Sequence, residues 1–405
     1  MYDLVVIGSG PAGHTAALRA AARKLKTLLV EKDPLMLGGV CLNEGCVPLK
    51  GLLHYSLHEK DYASIREKVM PKVAAMRQGL LSRLKAAGVE TLNAEAKFTS
   101  AGSVEAGGRE ISAKNFLIAT GSKSRRFFND ALSPEAIFGL EKAPSSALII
   151  GGGVIGCEYA SFLRNIGADV TIAEALKTPL FGEDEEAIRA LLREFKKKGV
   201  KVISPAVIKS AGRSEAVIEE AGAEKKLSFD AVFEATGRVP ATGGLNAAAA
   251  GVETDEKGFI ITDGHMRTKN PAIYAAGDCV KTPMLAYTAS MEAELAISAI
   301  FGEKAGPIDY SRMPKLVFSC PQFGSIGKSE EKAKSEGADF RAYRHYFKAM
   351  GKPAVESRDA GFIKLLVDKK TGMFVGASVV GDEAAEIMNE LSVIMNCGIK
   401  AEEVK

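Results

Sequence analysis

A glycine-rich strand–turn–helix pattern occurs twice in this chain, and both copies keep one spacing. The first runs from an apolar strand, Tyr2 to Ile7, through Gly8-Ser9-Gly10-Pro11-Ala12-Gly13 into an Ala-rich helix. A second strand, Thr27 to Val30, is closed by Glu31 and Lys32. The later copy has a strand at Ala147 to Ile150, the turn Gly151-Gly152-Gly153-Val154-Ile155-Gly156, a helix to about Asn165 and a strand Asp169 to Ala173 closed by Glu174. Gly8, Gly10, Gly13 and Glu31 map onto Gly151, Gly153, Gly156 and Glu174 with a constant offset of 143 positions. In such a unit the first Gly permits the tight turn, and the second lets backbone N–H groups approach a pyrophosphate. The third lets the helix pack on the sheet, the helix N-terminus favours the anion, and the acidic residue accepts ribose hydroxyls. Two full copies predict an α/β chain that binds two dinucleotides.

Two thiols follow the first copy within ten residues of Glu31, in Cys41-Leu42-Asn43-Glu44-Gly45-Cys46. Cysteines this close can form a disulfide inside one turn of chain, and beside a flavin such a disulfide can relay two electrons. The redox pair therefore goes with the first nucleotide site. The spacing predicts helices over Leu42 to Lys60 and Tyr62 to Ala87, with both thiols at a helix start, where the dipole lowers a cysteine pKa. At the second copy, Glu174 would repel a 2′-phosphate, which favours NAD over NADP. Arg164 and Lys177 are cations close to it in sequence. Three further strand ends allow backbone to approach a ligand: Ala119-Thr120-Gly121 after Phe116 to Thr120, Thr236-Gly237, and Gly277-Asp278 after Ile273. An Asp at a strand's C-terminal end can point into a cofactor crevice.

Composition narrows the class. A net charge of +3 over 405 residues points to neither nucleic acid nor an anionic membrane. The longest apolar stretch, Ala147 to Cys157, is too short and Gly-rich to span a bilayer, and no basic leader precedes the first strand. Six scattered cysteines with one special pair fit a cytoplasmic protein better than a secreted scaffold. His54 and His58 lie four apart on a helix, but no further ligand accompanies them and no metal site is expected. After about Gly306 the pattern changes to antiparallel strands, Phe340 to Phe347, Gly361 to Val367 and Met373 to Val380. A helix over Glu383 to Asn396 follows, as in a separate α+β domain.

On these residues the chain resembles the flavin-dependent pyridine nucleotide–disulfide oxidoreductases, and among them the dihydrolipoamide dehydrogenase type. The most specific element is Gly38-Gly39-Val40-Cys41-Leu42-Asn43-Glu44-Gly45-Cys46-Val47-Pro48-Leu49-Lys50. Gly151 through Glu158, Tyr274-Ala275-Ala276-Gly277-Asp278 and the stretch from Gly361 to Glu386 agree with it. The resemblance implies two Rossmann-like domains, for FAD and NAD, and an α+β interface domain. Its boundaries would be 1–142 and 263–310 for FAD, 143–262 for NAD and 311–405 for the interface. It implies that Cys46 lies against the isoalloxazine as the charge-transfer thiolate and that Cys41 meets a small-molecule or lipoyl-domain dithiol. Lys50 and Glu158 would pair near the flavin N5. FAD would be held by Gly8, Gly10, Pro11, Ala12, Gly13, Glu31, Lys32, Gly39, Val40, Lys50, Ala119, Thr120, Gly121, Gly277, Asp278, Met284, Leu285, Ala286 and Tyr287. NAD would be held by Gly151, Gly153, Val154, Ile155, Gly156, Glu158, Glu174 and Gly237. A homodimer and membership of a 2-oxoacid dehydrogenase complex would follow. Related readings are reduction of another disulfide, a quinone or a metal ion, or a non-catalytic flavoprotein subunit. The family's terminal His-His-Pro-Thr…Glu signature, which supplies an acid–base His, has no match here, so an incomplete interface domain is expected. Val40, Leu49, Tyr287 and His14 replace Thr, a small polar residue, His and an aromatic residue of the family pattern.

Overall fold

The computed structural model describes residues 1–404. Two compact units are built from interleaved stretches of chain. The first comprises Met1–Gly51, Arg66–Ser124 and Arg238–Tyr310; the second comprises Leu52–Ile65, Arg125–Gly237 and Ser311–Lys405.

In the first unit, β1 (Tyr2–Ile7) lies at the centre of a seven-stranded sheet. It pairs in parallel with β2 (Thr27–Glu31) on one side and with the strand Arg109–Ile118 on the other. Alternation along β1 sends Leu4 and Val6 to one face and Val5 and Ile7 to the other. Both faces are covered, as a parallel sheet requires. Leu4 and Val6 pack with Ala16, Ala17 and Ala20 of α1 (Pro11–Ala22) and with Ala289, Ala293 and Ala296 of the helix Ala286–Ile300. Alanine on both helices lets the two backbones approach closely. Val5 and Ile7 pack with Phe98, Phe116, Leu245, Val252 and Ile260.

The segment after Gly237 departs from expectation. Residues 238–262 do not complete the second nucleotide domain. Arg238–Pro240 pairs antiparallel with Ser122–Ser124, and Leu245, Val252 and Ile260 are core of the first unit. Apolar residues there find the uncovered face of the first sheet. By packing, 125–142 and 52–65 group with the second unit, and 238–262 with the first.

In the second unit, Lys201–Ile203, Asp169–Ala173, Ser146–Ile150 and Ala231–Glu234 form a four-stranded parallel sheet in that order. A three-stranded antiparallel sheet, Val207–Ala211, Glu215–Glu220 and Ala223–Ser228, follows. A five-stranded antiparallel sheet runs Lys315–Val317, Gln322–Gly327, Phe374–Gly381, Phe362–Asp368, Phe340–Tyr346. The helix Ala384–Asn396 lays Ala384, Met388, Leu391 and Met395 on its Ile326, Ala377 and Val379. The folds of two nucleotide domains and an α+β domain are thus all present.

Candidate active site

The glycine-rich turns repeat down to individual atoms. Gly8 and Gly151 adopt φ of +99° and +106°, where a side chain would be strained. A Cβ on either would lie 2.3 or 2.4 Å from the carbonyl oxygen of Ala119 or Ala235, at the end of the neighbouring strand. The residue after each donates its backbone N–H to the acidic residue: Ser9 N to Glu31 at 3.0 Å and Gly152 N to Glu174 at 2.6 Å. These pairs share the offset seen in the sequence. Neither α1 nor the helix Val154–Asn165 has a side-chain N-cap or an acidic residue in its first turn. Both N-termini therefore present backbone N–H groups to an anion.

The thiol pair is built onto the first turn. Cys41 is the third residue of α2 (Gly39–Asn43), and Cys46 is the first of α3 (Cys46–Ser56). The predicted single helix is two, so only Cys46 begins a long one. A Cβ on Gly39 would come within 2.6 Å of Gly10 Cα, so the backbone of α2 rests on the first nucleotide turn. Polar clamps fix it there. Gly38 N donates to Ser9 Oγ at 3.1 Å, and Ser9 Oγ donates to Glu31 at 2.5 Å. Asn43 is buried between the cysteines; its Nδ2 donates to Leu37 O at 3.0 Å and Gly39 O at 2.9 Å. Arg77 donates to Asn43 Oδ1 and Leu35 O, each at 2.9 Å.

The electrostatics of the pair are asymmetric. A hydrogen bond to Cys46 holds the Cys41 proton most strongly; burial and the Cys46 charge add to it, while the Lys50 charge acts the other way. The sum pushes the Cys41 thiol far above its usual range, against the lowering expected for both thiols. Two sulfurs this close cannot both ionise cheaply. Tyr287 also senses the site: burial, then the Cys46 charge, push its phenol up to about 12.

Asp278 accepts from Ser122 Oγ at 2.6 Å, and Ser122 Oγ in turn accepts from Arg238 Nε at 2.7 Å. Thr120 keeps a buried hydroxyl with no partner in the protein, a group that a bound ligand would satisfy. Beside Glu31, a cavity of about 200 Å³ is lined by Leu29, Pro34, Leu37, Leu81, Lys85, Thr91, Leu92 and Asn93. The bare helix end, the glycine cradle, the orphan hydroxyl and this cavity fit a dinucleotide. Sequence reasoning missed Ser9, Asn43, Arg77, Ser122 and the cavity wall. Ser9 and Asn43 sit inside quoted motifs and were legible there; Arg77 and Leu81 lie on a long polar helix with no local signal.

In the second unit, Glu158 is buried and accepts from Phe318 N at 2.9 Å. Glu174 is held by Gly152 N and by Leu176 N at 2.7 Å. Arg164 does not offset it. Its guanidinium donates to Lys198 O and Ala168 O at the opposite end of the helix from the glycine turn. Lys50 and Glu158 belong to different units.

Among the described residues no group of His, Cys, Asp and Glu could hold a metal ion. Among the described residues no helix is long and apolar enough to cross a membrane.

Comparison with known proteins bears on the whole chain. Residues 2–293 match the pyridine nucleotide-disulphide oxidoreductase family, and residues 313–405 its dimerisation domain. Dihydrolipoyl dehydrogenase of Chlorobaculum tepidum is 35% identical, covering 99% of this chain and 92% of that one. That of Geobacillus stearothermophilus is 34% identical, covering 99% and 91%. Among solved structures, the HOCl-induced flavoprotein disulfide reductase RclA from Escherichia coli, in its Cu(II) complex, superposes with a TM-score of 0.92 at 27% identity, covering 98% of this chain and 93% of that one. LpdA from Mycobacterium tuberculosis, at 24% identity, shares the fold with a TM-score of 0.91, covering 99% and 94%. The chain belongs to the pyridine nucleotide-disulphide oxidoreductase family, as a dihydrolipoamide dehydrogenase-like enzyme that uses FAD and NAD.

Proposed function

We propose that the protein is a dihydrolipoamide:NAD+ oxidoreductase working through a Cys41–Cys46 disulfide. One observation carries the reading: a hydrogen-bonded thiol pair sits on the backbone of the first nucleotide turn. Bound FAD would supply the two-electron chemistry that links the thiol pair to NAD+. Everything else falls to the chain's own residues. α1 holds the pyrophosphate at its N-terminus, Glu31 the ribose, and the Asp278 turn the ribityl chain. Cys41 meets the substrate. A dihydrolipoyl thiolate attacks the disulfide at Cys41, and a second attack by the other substrate sulfur releases lipoyl disulfide and leaves two protein thiols. One dithiol is oxidised and one NAD+ reduced, with one proton released. Cys46 takes the thiolate charge while Cys41 keeps the proton, in line with the upward push on Cys41. Lys50 favours that charge. The chain acts as a homodimer through residues 313–405, and a 2-oxoacid dehydrogenase complex is its natural setting.

The likeness to RclA favours a second reading, reduction by NADH of some other oxidised substrate by the same relay. Anaerobic titration with NADH, then turnover with dihydrolipoamide and NAD+, tests both. A long-wavelength absorbance band that disappears in Cys46→Ser, with dihydrolipoamide turnover, supports the first reading. The band without lipoamide turnover leaves the second. No band eliminates both.

A further inference from the structure

The helix Ala286–Ile300 packs its alanines against α1, yet it carries a carboxylate in its core. Glu292 is 0% exposed. A buried carboxylate is costly without partners, and two of this one's partners matter here. Its Oε2 accepts from Gly277 N at 2.6 Å. Its Oε1 accepts from the Tyr310 hydroxyl at 2.9 Å. Gly277 is the residue before Asp278, and it is tightly seated: a Cβ there would meet Ala289 at 3.2 Å and Ala12 of α1 at 3.3 Å. Tyr310 is the last residue of the first unit. Burial, and then the Glu292 charge, push the phenol upward, so it stays protonated and donates.

The two ends of this carboxylate thus hold two things. One is the turn that presents Asp278, already fastened on its far side by Ser122. The other is the segment that ends the unit. With no exposed surface, Glu292 cannot touch a ligand itself. We infer that Glu292 is a positioning residue for the cofactor, fixing the Gly277–Asp278 turn from beneath while Tyr310 fixes Glu292. The inference rests on the reading of that turn as part of the FAD site.

Reach distinguishes positioning from simple packing. Gln keeps the length of Glu: its carbonyl accepts from Gly277 N, and its amide donates to the Tyr310 oxygen. Asp is one methylene shorter and cannot span both partners. Apoprotein of each variant is titrated with FAD by flavin fluorescence, and the melting temperature of each apoprotein is recorded separately. The expected result is that Glu292→Asp lowers FAD affinity at least tenfold, Glu292→Gln stays within threefold of the parent, and Tyr310→Phe falls between. Apoprotein melting should not rank the variants in that order. Equal FAD affinity in Glu292→Asp and the parent overturns the inference, as does a Gln variant as weak as the Asp one. If Glu292→Asp does not fold, Tyr310→Phe decides, and parental affinity there overturns it. A parent protein that binds no FAD defeats the functional reading instead.

Discussion

At the scale of single residues, the thiol pair is the most informative part of the molecule. Two sulfurs five positions apart could sit in many arrangements, and in this one Cys41 is hydrogen-bonded to Cys46. Here the hydrogen bond to Cys46 is the largest contribution raising the Cys41 pKa, ahead of burial and the Cys46 charge. Removing that partner should release the proton at lower pH. In Cys46→Ser, alkylation of reduced Cys41 by iodoacetamide should have its pH midpoint well below that of the parent, because a serine hydroxyl carries no charge and accepts less strongly. An unchanged or higher midpoint would show that burial alone holds the proton. Asn43 is the structural counterpart. It lies between the two cysteines and satisfies two carbonyls of the loop while accepting from Arg77. Asn43→Ala leaves buried partners unsatisfied, at a cost of about 1–3 kcal/mol. Amide hydrogen exchange over residues 38–44 should accelerate accordingly, and unchanged protection there would contradict the clamp.

At the scale of elements, much was legible and the failures are instructive. The two glycine turns, their strands and their acidic residues were readable because each position answers a backbone demand: a φ near +100°, an open helix end, an acceptor for a turn amide. The strands from Phe340 onward and the helix Ala384–Asn396 were readable from period alone. What failed depended on long-range partners. A five-residue helix such as α2 is too short to persist by itself, so its break from α3 is set by Ser9, Asn43 and Arg77, the last more than 30 positions away. The strands Val207–Ala211 and Ala223–Ser228 alternate weakly and are largely exposed, so they gave no signal. Arg164, close to Glu174 in sequence, instead donates to Lys198 O and Ala168 O beyond the far end of its helix. On the proposed function, Glu174 would favour NAD over NADP. NADH should reduce the flavin with a kcat/KM at least tenfold above that of NADPH. Glu174→Ala should shrink the ratio and also raise the KM for NADH, since Gly152 N and Leu176 N lose their acceptor. A variant with parental preference would mean that another residue reads the ribose.

At the scale of the whole molecule, the second unit joins a parallel nucleotide-binding sheet to an antiparallel one, and a buried ion network lies at the seam. Lys364, on the strand Phe362–Asp368, has a side chain only 2% exposed. Its ammonium is 2.8 Å from Asp184, 3.0 Å from Glu186 and 2.8 Å from Glu330. Arg344 closes the group through Glu186 at 2.8 Å and Glu330 at 2.6 Å. Asp184 also caps the helix Glu185–Lys198 through the amides of Glu186 and Ala187, so one carboxylate serves both the network and the nucleotide domain. Lys364→Met would leave Asp184 buried without its counter-ion, a loss of about 3–5 kcal/mol by analogy with other broken buried pairs. The network also sets an acid limit. Burial opposes ionisation of Glu330, but hydrogen bonds from Lys334 and Lys364, with the Lys364 and Arg344 charges, bring its pKa down to about 2. Glu186 is lowered as well, by Arg344 and Lys364 against its own burial. A carboxylate whose pKa is depressed by folding stabilises the fold above its unfolded value, near 4.5, and that contribution fades as pH falls toward its folded value. Unfolding midpoints in urea should therefore drop between about pH 4.5 and pH 2 in the parent. Glu330→Gln should be less stable than the parent at pH 7 but lose less across that window, so the two curves converge in acid. Parallel curves would show that the depressed carboxylate contributes nothing to holding the two sheets of this unit together.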